Sequence, residues 1–300
     1  MIEVTNACVH RCAHCTRAVP HIRKPFFGSL DYIEKALQSL DGWTRGVGCM
    51  GGEPTIHPQF PEICALYTKY LPRKRRGLWT AGGKKYEQYK ELIDETFGII
   101  NFNDHFYPSY HQPVMVAIDE IIHNESFRTK IINNCWLQRT WSPTITPKGA
   151  FFCEVSATFD LLFEGPGGYP IEQGWWRKGL KEMQDQVDRY CRFCSVAIPL
   201  ETHPDTLPFD YVSPENAERL RRAGSPMAVN ENLKLIGNEY TRADYIRIKK
   251  SKAYREPARY AKKDPAHFWI RNSILFQQKW NSIPYKIKSI LHDLSIRLFP

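Results

Sequence analysis

Apolar and polar residues alternate in "IEVTN" (2–6), the period of a half-covered strand. Apolar residues then recur at Leu30, Ile33, Leu37 and Leu40 in "SLDYIEKALQSL" (29–40), the period of a helix, with Ser29 placed to cap its first turn. The same two rhythms repeat along the first hundred residues. "GVGCMGG" (46–52), "GLWTAGG" (77–83) and "GIINFNDH" (98–105) read as strands, while "QFPEICALYTKYL" (59–71) and "KKYEQYKELIDETF" (84–97) read as helices. An order of β-α-β-α-β-α-β predicts parallel strands joined by helical crossovers, hence an α/β sheet or barrel. Such folds carry their chemistry at the C-terminal ends of the strands, where "CVHRCAHC" (8–15) and "GGEP" (51–54) both fall.

The rhythm changes near residue 130. "SPTITPKGAFFCEV" (142–155) predicts a β-hairpin turning at "PKG", "EGPGGYPIEQGWW" (164–176) an irregular loop, and "LKEMQDQVDRYCRFC" (180–194) a helix running into C-x-x-C. One further helix is expected from about Ser213. This divides the chain into residues 1–130, a partial barrel; 131–203, a small hairpin-plus-helix unit; and 204–300, a largely helical basic extension. About 120 residues separate Cys15 from Cys135. A complete (β/α)8 barrel needs at least about 200, so the barrel is expected to be open.

Charge sharpens the division. The chain carries a net charge of +9, yet residues 241–300 alone hold fourteen Lys/Arg against four Asp/Glu, which leaves the remainder near neutral. A nucleic-acid-binding body is basic where it binds, so no nucleic-acid partner is expected. No stretch approaches 18 uninterrupted apolar residues, and no basic segment followed by an apolar one opens the sequence. The expected compartment is the cytoplasm, where thiols stay reduced, so nine cysteines point to metal or redox chemistry rather than disulfides.

Cys8, Cys12 and Cys15 follow C-x3-C-x2-C. A zinc knuckle completed by His10 or His14 is one reading, but structural zinc favours paired C-x2-C knuckles. The spacing better suits an iron–sulfur cube held by three thiolates, with its fourth iron open to an exchangeable ligand. Cys135, Cys153, Cys191 and Cys194 form a second set, C-x17-C-x37-C-x2-C, for which a closed four-thiolate zinc site is the competing reading. Cys49 and Cys64, in a strand and on a helix, read as small buried apolar residues.

The C-x3-C-x2-C loop after a first strand and "GGEP" after a second together resemble the radical S-adenosylmethionine (radical SAM) enzymes. The resemblance implies that Cys8, Cys12 and Cys15 bind a [4Fe-4S] cluster whose open iron takes the amino and carboxylate groups of S-adenosylmethionine. It places Gly51, Gly52, Glu53 and Pro54 at the methionine amino group and His14 near the adenine. Asn103 or Asp104, at the end of the fourth strand, is carried over as the ribose contact. The second cysteine set resembles the twitch domain, a shortened SPASM domain, and implies an auxiliary [4Fe-4S] cluster. Reductive cleavage to a 5′-deoxyadenosyl radical and hydrogen abstraction from the substrate would follow, with net oxidation through the auxiliary cluster as one outcome. An external one-electron donor of the flavodoxin or ferredoxin type is implied.

The near-neutral body and the aromatic residues of the auxiliary segment lead us to expect a small polar substrate, sugar- or aminocyclitol-like, handled by an oxidoreductase or related radical-transfer enzyme. Peptide maturation is the alternative within the same chemistry, and a zinc-binding nucleic-acid or adaptor protein the alternative outside it. No catalytic acid or base is identifiable. The tail segments "HFWIRNSILFQQKW" (267–280) and "IPYKIKSILHDLSIRLF" (283–299) set Trp and Leu faces against basic ones. They fit either packing onto protein or contact with an anionic membrane surface, which would make the protein peripheral at the inner membrane face.

Overall fold

The computed structural model describes residues 1–250 except 104, 106–108, 141 and 180. Four strands follow the expected rhythm: β1 (Ile2–Thr5), β2 (Val47–Gly51), β3 (Arg76–Thr80) and β4 (Ile99–Phe102), paired in parallel in that order. Their crossovers are α1 (Leu30–Ser39), α2 (Phe60–Tyr70) and a helix broken at Tyr89 into α3 (Lys84–Gln88) and α4 (Lys90–Thr96). Ser29 Oγ accepts the Tyr32 N–H at 3.2 Å, the expected cap of α1. Alternation decides the two faces of the sheet. Ile2, Val4, Val47, Cys49 and Leu78 join Ile33, Leu37, Phe60, Ile63, Cys64 and Tyr67 in one buried core. Glu3 and Met50, paired across β1 and β2, lie on the opposite face. Cys49 and Cys64 are both buried, as expected of core residues.

Beyond β4 come the short β5 (Tyr110–His111) and the helices α5 (Ile118–Ile121), α6 (Glu125–Asn133) and α7 (Trp136–Thr140). The expected hairpin follows as β6 (Thr144–Thr146) and β7 (Gly149–Phe151), turning at Pro147 and Lys148. Gly149 sits at φ +124°, a conformation that side chains disfavour. The hairpin's partner was not visible in the sequence: β6 pairs in parallel with β1, Ile2 opposite Ile145, so the hairpin extends the main sheet. The full order is β4-β3-β2-β1-β6-β7.

Cys153 is not the late strand residue that "FFCEV" suggested; it is the N-cap of α8 (Glu154–Leu162), a helix the apolar run concealed. The stretch 164–176 is irregular apart from a 3-10 turn at Trp175–Arg177. α9 (Gln184–Tyr190) then leads into a 3-10 turn at Cys191–Phe193. β8 (His203–Pro204) pairs with β5, and β9 (Asp210–Val212) pairs with β10 (Leu233–Leu235) around α10 (Pro214–Arg222) and α11 (Pro226–Val229). α12 (Arg242–Lys250) closes the described part. A second, smaller core gathers Val116, Ile118, Ile121, Ile198, Leu200, Tyr240 and Ile248. Among the described residues no helix is long and apolar enough to cross a membrane. The tail segments 267–280 and 283–299 lie outside the described residues.

Candidate active site

The first thiol set hangs from the end of β1. The loop from Asn6 to Gly28 is closed at its base: Thr5 Oγ1 donates to Phe26 O at 2.6 Å, Phe26 N to Asn6 Oδ1 at 2.7 Å, and Gly28 N to Val4 O at 2.8 Å. Within it Cys8, Cys12 and Cys15 are half-buried. Burial pushes the Cys8 thiol up to about 11 and the Cys12 thiol up to about 12, with neighbouring thiols adding to each; burial raises Cys15 as well. In the chain alone these groups keep their protons, so loading a metal releases them.

"GGEP" packs directly against this loop. Gly52 N donates to Thr5 O and Glu53 N to Ala7 O, both at 2.8 Å. The approach requires glycine: a Cβ on Gly51 would stand 1.8 Å from Thr5 O, and one on Gly52 2.1 Å from Ala7 O. Glu53 is fully buried. Its carboxylate accepts from Thr55 Oγ1 at 2.7 Å, Thr80 Oγ1 at 2.8 Å and Ala81 N at 2.7 Å. Burial raises its pKa against the opposing pull of those donors. The carboxylate therefore clamps the ends of β2 and β3 together, and Pro54 opens the 3-10 turn that follows. Gly52→Ala is expected to displace the Cys8 loop and lower metal binding by Cys8, Cys12 and Cys15 while far-UV circular dichroism stays near wild type. Wild-type metal content in that variant would show the loop tolerates the side chain.

His14 adopts φ 56° and is buried, its ring nitrogens without a hydrogen bond and its Nδ1 3.5 Å from Asp210 Oδ1. Its ring lies 5.5 Å from that of His203 and 5.8 Å from that of Tyr211. Burial lowers its pKa to about 4, leaving a neutral ring. Its backbone N–H donates to Asp210 Oδ1 at 2.8 Å. His21 bridges Asp210 Oδ2 and Ser225 Oγ, both at 2.8 Å. Burial opposes the Asp210 charge, but the bonds from His21 and His14 outweigh it and hold the carboxyl below its usual range. β9 and the start of α11 are thus fastened onto the cysteine loop. Asn103 N donates to Thr80 O at 2.8 Å, and its side chain turns to His105, Nδ2 to Nε2, at 3.0 Å; residue 104 is not described.

The second thiol set comes from three separate elements. Cys135 precedes α7, Cys153 caps α8, and Cys191 and Cys194 flank the turn after α9. Burial raises all four thiols: Cys153 reaches about 12, and Cys135, Cys191 and Cys194 also rise. Val155 N donates to Cys153 Sγ at 3.3 Å, Val196 N to Cys194 Sγ at 3.4 Å, and in the first set His10 N to Cys8 Sγ at 3.4 Å. Such N–H donors are what an anionic sulfur needs once it ligates iron.

Among the described residues, Cys12, His105 and Asp205 each offer a potential ligand atom within 4.8 Å of the others. Three thiols on one loop suit a cluster with one open iron, and the four thiols of the second set suit either a closed cluster or a zinc ion.

A buried charge network, which the sequence did not reveal, ties the sets together. Arg17, two residues after Cys15, donates through Nη2 to Glu154 Oε2 at 3.1 Å and through Nη1 to Glu154 O at 3.2 Å. The same guanidinium reaches Met50 Sδ at 3.0 Å and Glu3 Oε2 at 3.9 Å. Burial raises the pKa of Glu3 to about 6, with Arg17 pulling the other way. Glu154 adjoins Cys153, so one side chain spans from the first cysteine loop to the second.

Residues 2–121 match the family model described as the Radical SAM superfamily. No curated protein matches the chain.

Proposed function

We propose that Cys8, Cys12 and Cys15 hold a [4Fe-4S] cluster whose open iron takes S-adenosylmethionine, and that Cys135, Cys153, Cys191 and Cys194 hold a second [4Fe-4S] cluster of the twitch type; the match of residues 2–121 to the Radical SAM superfamily model supports the first. The substrate of this reading is a small polar, sugar- or aminocyclitol-like molecule, and the net reaction an oxidation. Members of the superfamily are enzymes of S-adenosylmethionine-dependent radical chemistry. The bound cluster and S-adenosylmethionine supply reductive cleavage to methionine and a 5′-deoxyadenosyl radical.

The observation that supports the two-cluster reading is the thiols and their donors. Three half-buried thiols share one loop, four more come from distant parts of the chain, and backbone N–H groups donate to the sulfurs of Cys8, Cys153 and Cys194. The chain's own residues hold the cofactor in place. In this reading His14 is the adenine contact and Asn103 the ribose contact, the latter through whatever its amide offers beyond its bond to His105. The Gly51–Pro54 segment meets the methionine amine, and with the Glu53 carboxylate bound to Thr55, Thr80 and Ala81, its contact falls to backbone carbonyls. β9 and α11, fastened through Asp210, His21 and Ser225, exclude water from that side.

The test is anaerobic reconstitution followed by iron, sulfide and zinc analysis and an assay for 5′-deoxyadenosine with a flavodoxin or ferredoxin reductant. Iron and sulfide equivalent to about two cubes per chain are expected. One cube with stoichiometric zinc would overturn the second cluster; no 5′-deoxyadenosine with any reductant would overturn the reading of the first. Turnover screened against amino-sugars, aminocyclitols and peptides then decides the substrate class.

A further inference from the structure

We infer that His105 and Asp205 set the reduction potential of the first cluster through the Cys12 sulfur, an inference that rests on Cys12 being a cluster ligand. His105 Nδ1 lies 3.8 Å from Cys12 Sγ and 2.9 Å from Asp205 Oδ2, and the three donor atoms are all within 4.8 Å of one another. Asn103 Nδ2 meets the other ring nitrogen at 3.0 Å, and His10 stacks on the ring at 4.4 Å between centroids and 23° between planes. The ring is therefore held from three sides. Asn103, as donor to Nε2, leaves the proton on Nδ1, the nitrogen that faces both Cys12 and Asp205.

Asp205 is equally fixed. Its backbone N–H donates to Ser109 O and its carbonyl accepts from Ala13 N, each at 2.8 Å, which binds it to the residue after Cys12. Its side chain is 5% exposed and that of His105 12%, so water screens neither from the sulfur.

The two groups act on a cluster electron with opposite sign. An N–H beside a ligating thiolate stabilises the reduced, more negative state, whereas a carboxylate a few ångströms away disfavours it. The hydrogen bond from His105 to Asp205 fixes how far the N–H leans toward sulfur. Asp205 lies in the chain more than eighty residues beyond the superfamily match, so this control comes from the segment that covers the cysteine loop.

The experiment is a redox titration of the reconstituted full chain followed by electron paramagnetic resonance, using S-adenosylmethionine to mark which signal belongs to the first cluster. His105→Leu is expected to shift that potential negative and Asp205→Asn to shift it positive. Each 59 mV corresponds to a tenfold change in the reduced fraction. His105→Gln keeps an N–H donor and is expected to return toward wild type. The second cluster's potential stays put in all three. Potentials that do not move, or that move in the same direction in His105→Leu and Asp205→Asn, overturn the proposal. A signal responsive to S-adenosylmethionine that survives Cys12→Ala overturns the underlying reading instead.

Discussion

Cys12→Ala is expected to lose one of two iron–sulfur cubes and all production of 5′-deoxyadenosine, with the second cluster and the fold retained. The half-buried thiol is one of three ligands on a loop whose base is closed independently by Thr5, Asn6 and Gly28. Removing the sulfur therefore opens a cube without opening the loop. Cys191→Ala is the complementary variant: iron again falls to about one cube, yet the signal that responds to S-adenosylmethionine persists. Cofactor cleavage by Cys12→Ala at wild-type rate would mean that the first set has been assigned wrongly.

Arg17→Met is expected to destabilise the protein by about 3 kcal/mol, because it leaves buried Glu3 and half-buried Glu154 without their shared cation. Methionine approximates the length of the arginine stem, so the loss reports charge more than a cavity. The double variant Arg17→Met/Glu154→Gln is expected to recover a substantial part of it by removing one stranded carboxylate. Urea denaturation of the three proteins measures both effects. A change below about 1 kcal/mol for Arg17→Met would mean that water reaches this network.

Much of the sheet was legible because β1 to β4 and α1 and α2 each bury one face, and burial of one face writes its period into the chain. Ser29 as a cap and the glycines of "GGEP" were legible for local reasons: one supplies an oxygen to a helix start, the other lets two backbones touch. The partner of β6 was not, since nothing in "TIT" says that Ile145 lies opposite Ile2. α8 was hidden because "FFCEV" joins the end of a strand to the start of a helix with no polar break. The cysteine spacings identified candidate ligands, but Arg17–Glu154, His21–Asp210 and His105–Asp205 join residues roughly 100 to 190 positions apart, and only the fold brings them together.

The pairing of β1 with β6 also has a consequence during synthesis. Ile2 leaves the ribosome more than 140 residues before its neighbour Ile145, an interval of roughly seven to thirty seconds at ordinary elongation rates. For that time one edge of β1 is an open template for any other strand, and the cysteine loop beside it still lacks the cover that arrives with Asp205 and Asp210. The nascent chain thus passes through a stage in which the first three thiols have been made and are accessible while the last two of the second set have yet to be translated. That order leaves the first three thiols exposed before the last two of the second set exist, and makes β1 the strand that has most to gain from early cover.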